Sequence, residues 1–462
     1  MCLADGGIHA TGIRSADPVL QADIDWFPTM APSALRRRSA TAAGLYLSVA
    51  LGILGTIAAA RILGLADFGR FATVMAVVGL AQTLLDLTVE ESLTKFGFRY
   101  VAAEDWGKLH RLFRRALELK LVGGALASLV ILALAPFADT LFGTDGLAAP
   151  MVAAAAIPLV ASPENVSASA LLLRGRYDLR GALLSVTMGI RLVAIVVGAS
   201  IGVTAALGAL ALGQLAATAI VGTAGASALR RFPRREPHPL GADRREIFSF
   251  VVQSSVATGV ISLRSALTPV LLGVVAGTTQ VGYYRVALAP QSGFSAASAP
   301  VRLVLLTEQT RDWEHGREQN VLRGLRSYTL AAAAVAAVAV PVFLLAMPWL
   351  VRVVFGAEYL SAVDAARIVL VAAAIQLVLG WSKSLPVTVG RPHLRIVTHG
   401  IETLVLLPLV VVLGDRNGVT GAAVAILVST LVFAAAWAVV LVRLRTELRA
   451  AGRVGPPRAA AP

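Results

Sequence analysis

Leu229-Arg-Arg-Phe-Pro-Arg-Arg-Glu-Pro-His-Pro-Leu-Gly-Ala-Asp-Arg-Arg-Glu-Ile247 is the longest polar interruption between two apolar halves of this 462-residue chain. Six arginines and three prolines sit in it. Proline removes a backbone donor and clashes with the preceding helical turn, and arginine is costly to bury, so the stretch reads as a solvated linker on one side of a membrane. On either side of it the chain repeats itself. Gly64-Leu-Ala-Asp-Phe-Gly69-Arg-Phe71 is answered 213 positions later by Gly277-Thr-Thr-Gln-Val-Gly282-Tyr-Tyr284. Pro136 with Phe142-Gly143 is answered by Pro348 with Phe355-Gly356, Gly175 to Arg180 by Gly390 to Arg395, and Gly202-Val-Thr204 by Gly418-Val-Thr420. Landmarks in one order at nearly constant offset make the chain a tandem duplication of about 210 residues.

Composition sets the class. The chain is 57% hydrophobic and 15% charged, with a mean hydropathy of +0.75, far more apolar surface than a soluble core of this size encloses. It is an all-α membrane protein that crosses the bilayer many times. The net charge of +14 does not indicate nucleic acid, because the basic residues alternate with apolar spans and do not cluster on one polar face. The single cysteine, Cys2, excludes an internal disulfide. Residues 1–40 form a polar tail expected to be disordered, with no secretory signal before Thr41.

With about 20 apolar residues needed per crossing, twelve transmembrane helices are expected. They are 41–62, 71–94, 116–137, 148–173, 182–201, 205–228, 248–275, 281–306, 328–350, 362–388, 396–413 and 418–441. The domains are then a six-helix bundle over 41–228, the basic linker 229–247, a second six-helix bundle over 248–441, and a basic tail over 442–462. Placing the amino terminus inside puts about 30 of the 41 basic residues in inner segments. Only Arg61, Arg70, Arg352 and Arg416 fall in the opposite loops, so both termini are expected to be cytoplasmic. The opposite loops are too short to house a catalytic domain, and the stretch from Gly97 to Arg115 reads as an amphipathic helix on anionic headgroups.

Charges inside spans locate the chemistry, since each costs about 2.5 to 3.5 kcal/mol at mid-membrane and needs a cavity or a partner. Asp86 and Glu90, four apart on the second span, share a face and form a candidate site for a coupling H+ or Na+; Glu91 is within reach of Lys95. The alternative is a hydrated or paired acidic end. Glu164 and Arg191 lie at similar depth on neighbouring spans and suit an ion pair, and Arg191 is also a candidate cavity cation. The carboxyl half carries Arg264, Arg285, Arg302 and Lys383, with Lys383 within reach of Glu402. Arg264, mid-span and five residues before Pro269, has the least access to water and is expected to matter most. Cations converging on one chamber suit a phosphate or diphosphate. The six histidines form no metal motif, and no glycine loop with lysine suggests ATP hydrolysis; no cofactor is expected. Gly198-Ala-Ser-Ile-Gly202 follows a membrane helix where a nucleophile elbow needs a strand, so it is read as helix packing.

Twelve spans in two halves, with Ala60-Arg-Ile-Leu-Gly-Leu-Ala-Asp-Phe-Gly-Arg-Phe71 and the acidic Leu85-Asp-Leu-Thr88, resemble the polysaccharide-transporter branch of the multidrug/oligosaccharidyl-lipid/polysaccharide flippase superfamily. Thr88 stands where that branch commonly has glycine. The resemblance covers residues 40 to 444 and implies two bundles facing each other in a V, a central cavity and alternating access. By analogy with lipid II flippases it gives Arg264 and Arg285 the lipid diphosphate. It implies a bacterial inner-membrane flippase for an undecaprenyl-diphosphate-linked oligosaccharide, monomeric, not an enzyme, working among membrane lipids beside a polysaccharide polymerase and glycosyltransferases. The rival readings are a cation-coupled multidrug exporter of the same superfamily and a membrane glycosyl or acyl transferase.

Overall fold

A computed structural model describes residues 32–233, 235–294, 308–313, 315–391 and 393–450. The expected disordered tail up to residue 31, Arg302, and residues 451–462 lie outside them. The fold is 89% helix, with no strand among the described residues. The amino half comprises α1 (Pro32–Leu85), α2 (Glu90–Ala102), α3 (Trp106–Leu134), α4 (Ala138–Phe142), α5 (Ala148–Ala154), α6 (Ala156–Leu173), α7 (Tyr177–Ala199) and α8 (Val203–Arg230). The carboxyl half comprises α9 (Asp243–Ala276), α10 (Thr278–Ala287), α11 (Glu318–Val354), α12 (Val363–Val378), α13 (Leu385–Thr388) and α14 (His393–Ala450).

Among the described residues, eight helices are long and apolar enough to cross a membrane, or nine if α9, bent by 46° between Val260 and Ser262, is one broken span. This is fewer than twelve because two of the eight are continuous only in hydrogen bonding. At about 1.5 Å per residue, α1 and α14 are each more than twice the length that the roughly 30 Å hydrocarbon core needs. Each contains non-helical backbone at one glycine, Gly64 in α1 and Gly418 in α14. The eighth expected span, 281–306, runs into residues outside the described set, so twelve stays an expectation.

The duplication is written into the backbone. Gly64 has φ 71° and ψ 172°, and its counterpart Gly277 has φ 86° and ψ 168°, a region that side chains avoid. Gly175 and Gly390 pair likewise, at φ 67° and 69°.

Four expected boundaries move. The second span is not continuous: α1 ends at Leu85, α2 starts at Glu90, and the residues between are non-helical. α3 packs tightly on the end of α1 there, since a Cβ on Gly123 would lie 2.6 Å from the Leu85 carbonyl oxygen. The freed Thr88 N–H donates to Ser255 Oγ at 2.9 Å, which satisfies it from the other half. Gly97 to Arg115 is not one helix. It is the end of α2, a turn with Glu104 at φ 53°, and the start of α3, where Asp105 accepts from the Lys108 N–H. Trp106 there stacks on Phe232, so the segment packs on the linker. The tenth span breaks into α12, a 3-10 turn over Gly380–Lys383, and α13. Finally, residues 32–40 and 442–450, assigned to tails, are helical, and α9 begins inside the expected linker.

The halves meet at two ends with different chemistry. Away from the linker, the repeated motifs pack on each other: a Cβ on Gly69 would lie 2.6 Å from the Thr278 carbonyl oxygen, and one on Gly282 would lie 3.2 Å from Gly69 Cα. Tyr359 donates to the Ala60 carbonyl at 2.9 Å and meets Phe68 edge-on. At the linker end the contact is ionic: Arg99 reaches Glu246, and Lys108 and Tyr100 reach Asp243. Hydrogen bonds from Tyr100 and Lys108 hold the Asp243 carboxyl below the usual carboxylate range, and one from Arg99 does the same for Glu246.

Candidate functional site

Arg191 of α7 and Arg285 of α10 converge on one cavity of about 270 Å3 between the halves. Gly55, Thr56 and Phe71 of α1 supply much of the remaining wall, and among the described residues no carboxylate lines it. Arg285 is half-buried and has no ion-pair partner among the described residues. It reaches this position because the positive-φ Gly277 turns the chain sharply from α9 into α10, which also buries Val281, Tyr284 and Val286.

Arg191 is the neutralised member of the two. Its Nη2 lies 2.9 Å from Glu164 Oε2, as the matched depths of the two residues suggested. The same oxygen accepts from Gln214 Nε2 at 2.7 Å, and that amide also bonds Thr218. Gln214, four residues from Thr218 on α8, extends a pair into a network that fixes the cavity wall.

Arg264 differs from its expected role. It pairs with Glu402 of α14, which is 1% exposed, and it does not line the cavity. The second Glu402 oxygen lies 3.1 Å from His399 Nδ1, and the His399 ring stacks on Phe433. A carboxylate that deep needs cationic or hydrogen-bonding partners. His399 and Glu402 are three apart on one helix face, and α9 brings the arginine across. Lys383 is exposed at the end of its 3-10 turn and is not part of the cavity wall. Glu402, proposed as its partner, is engaged by Arg264 and His399.

Asp86 and Glu90 come together, but through a residue the sequence reasoning passed over. Lys120 of α3, 3% exposed, lies 2.8 Å from Asp86 Oδ2 and 2.7 Å from Glu90 Oε1. Lys120 stands within the expected span 116–137 but close to its end, where a lone lysine reads as snorkelling. Asp86 Oδ1 is buried with no hydrogen-bond partner among the described residues. Glu90 also lines a cleft of about 410 Å3 with Glu91, Lys95 and Arg180. Lys95 turns to Glu246 of α9, at 3.9 Å, and not to Glu91. Among the described residues, no group of three or more histidine, cysteine, aspartate or glutamate side chains is placed to hold a metal.

A helical membrane protein whose duplicated halves enclose a charged cavity has the architecture of a transporter. Solved structures share it: the chain matches an inward-facing multidrug resistance MATE family transporter of the MOP superfamily at a TM-score of 0.68 and 14% identity, covering 88% of this chain and 96% of that one. The lipid II flippase MurJ in an inward closed conformation gives a TM-score of 0.64 at 12% identity, over 86% of each chain. A MOP superfamily transporter from Pyrococcus furiosus gives 0.56 at 13% identity, over 90% and 95%. No curated protein matches the chain. The family model described as polysaccharide biosynthesis protein matches residues 35–297, and the chain belongs to that family. These structural neighbours are transporters and a flippase, and the chain shares their fold.

Proposed function

We propose that the protein flips an undecaprenyl-diphosphate-linked oligosaccharide across the bacterial inner membrane for polysaccharide biosynthesis. The observation that carries this reading is Arg285, a half-buried guanidinium at an inter-half cavity without a carboxylate on its wall. Such a charge is expensive unless an anion visits it, and the planar guanidinium suits the oxygens of a diphosphate. Arg191, tied to Glu164, orients the opposite wall. A multidrug exporter for organic cations favours an acidic cavity, and the charged residues lining this one among the described residues are two arginines. Both termini lie in the cytoplasm on this reading, so the linker end faces the side where the substrate is made, in the vicinity of the glycosyltransferases. The polymerase would act on the opposite side.

Coupling runs through Asp86, Glu90 and Lys120. Two carboxylates around one lysine leave one negative charge in excess, which a single H+ or Na+ neutralises. The broken helix between Leu85 and Glu90 supplies the backbone freedom, and its Thr88 bond to Ser255 ties that break to α9 of the other half. The test is translocation of a fluorescent diphosphate-linked oligosaccharide in proteoliposomes. Flipping by wild type and its loss in Arg285→Gln support the reading, whereas wild-type protein that leaves the lipid in its original leaflet overturns it.

A further inference from the structure

A second, larger cavity lies outside the central one. It has a volume of about 660 Å3 and sits between α3 and the start of α9, with linker residues Pro239, Leu240 and Gly241 along its edge. Its floor is apolar, made by Leu119, Val122, Leu240, Ile247, Phe248 and Val251. Its rim is basic: Arg111, Arg115 and Arg244. One acid, Glu118, also lines it, and Arg114 and Arg115 neutralise that acid at 3.2 and 2.7 Å. Arg111 and Arg244 form no ion pair among the described residues, so the rim keeps net positive charge. The two helices that line it carry exposed apolar stripes. Phe248, Val252 and Val256 of α9 are exposed at four-residue spacing, and Val122, Leu126 and Leu129 of α3 are exposed as well. In a membrane protein these stripes face acyl chains.

We infer that this cleft binds an anionic phospholipid of the bilayer, with its headgroup phosphate on Arg111 and Arg244 and an acyl chain along Val122, Phe248 and Val251. Charge complementarity selects the occupant. A zwitterionic lipid gains little from a rim with surplus positive charge, whereas an anionic headgroup gains charge-assisted hydrogen bonds at the depth where headgroups sit. The site bridges the two halves at the end where Asp243 and Glu246 already join α9 to α2 and α3. A lipid seated there therefore braces the same closed contact. The inference does not depend on the cargo proposed above, and its readout is lipid retention, not flipping.

The test uses the full chain in detergent micelles, titrated with phosphatidylglycerol and with phosphatidylethanolamine, and counts retained lipid by native mass spectrometry. Phosphatidylglycerol is expected to be retained at least tenfold more tightly. Arg111→Gln combined with Arg244→Gln is expected to abolish that preference, and Phe248→Ala to weaken both lipids alike. Equal retention of the two lipids by wild type overturns the inference, as does an unchanged preference in a double variant that melts like wild type. Should the double variant not fold, salt decides: a phosphatidylglycerol preference that does not fall as ionic strength rises contradicts a phosphate held by arginine. Stronger capture of undecaprenyl diphosphate than of phosphatidylglycerol also overturns it and assigns the cleft to the cargo.

Discussion

Arg264 and Arg285 sit one helix apart in the same half of the protein, yet their surroundings are opposite in charge balance. Arg264 is matched by Glu402 and His399 and belongs to the interior of the carboxyl half. Arg285 faces an inter-half cavity with no carboxylate on its wall. A charge inside a membrane protein is therefore not by itself a mark of function. What separates a structural cation from a cargo-binding one is whether the chain also supplies the counter-charge.

The comparison can be broken by substitution, and the largest effect is expected at the unmatched charge. Arg285→Gln should lower translocation about a hundredfold, the loss of one or two charge-assisted hydrogen bonds, with melting temperature and membrane insertion unchanged. A proteoliposome flipping rate measured beside a thermal scan checks both halves of that statement. Arg264→Ala should do the reverse. It strands Glu402 and costs about 3–5 kcal/mol of stability, seen as loss of folded protein, while Arg264→Met with Glu402→Leu should recover most of it. Failure of the double variant to recover would mean that Arg264 does more than neutralise.

Lys120→Met offers a third, intermediate case. Two carboxylates lose their shared partner, one within the helix break and one just after it, and a stability loss on the order of 3 kcal/mol is expected from chemical or thermal unfolding. If the cluster also couples transport, the ion dependence of any flipping that survives should vanish with it. The smallest effect belongs to the exposed pairs at the linker end. Asp243 has its carboxyl lowered by Tyr100 and Lys108, so its contribution is present above the ordinary aspartate range and is lost as pH falls through its lower folded value. Acidifying below about pH 4 should loosen this contact, and Asp243→Asn should remove that dependence; thermal scans against pH read both.

Much of the fold was legible because membrane helices are dictated by composition and the duplication repeats whole landmarks. The paired positive-φ conformations of Gly64 and Gly277 follow from glycines already conspicuous at matched positions. The break at residues 86–89 was not legible. Nothing in Asp86-Leu-Thr-Val89 forbids helix, and the contacts at the break, Gly123 of α3 against Leu85 and Ser255 of α9 against Thr88, are made by residues distant in sequence. The charged residues were legible as a set, and the Glu164–Arg191 pair followed from depth alone. Partner choice was not: Glu402 is within plausible reach of either Lys383 or Arg264, and only the packing of α9 on α14 selects the arginine. Lys120 was hidden for a different reason, since a lone lysine near a span end reads as a snorkelling residue until two acids are found around it.

The most direct test replaces Arg285 with lysine and with glutamine and follows a fluorescent undecaprenyl-diphosphate oligosaccharide from one leaflet to the other in proteoliposomes. An anion-receiving cavity predicts partial flipping with lysine, which keeps the charge but loses the planar fork, and about a hundredfold less with glutamine. Wild-type rates in the glutamine variant would contradict it.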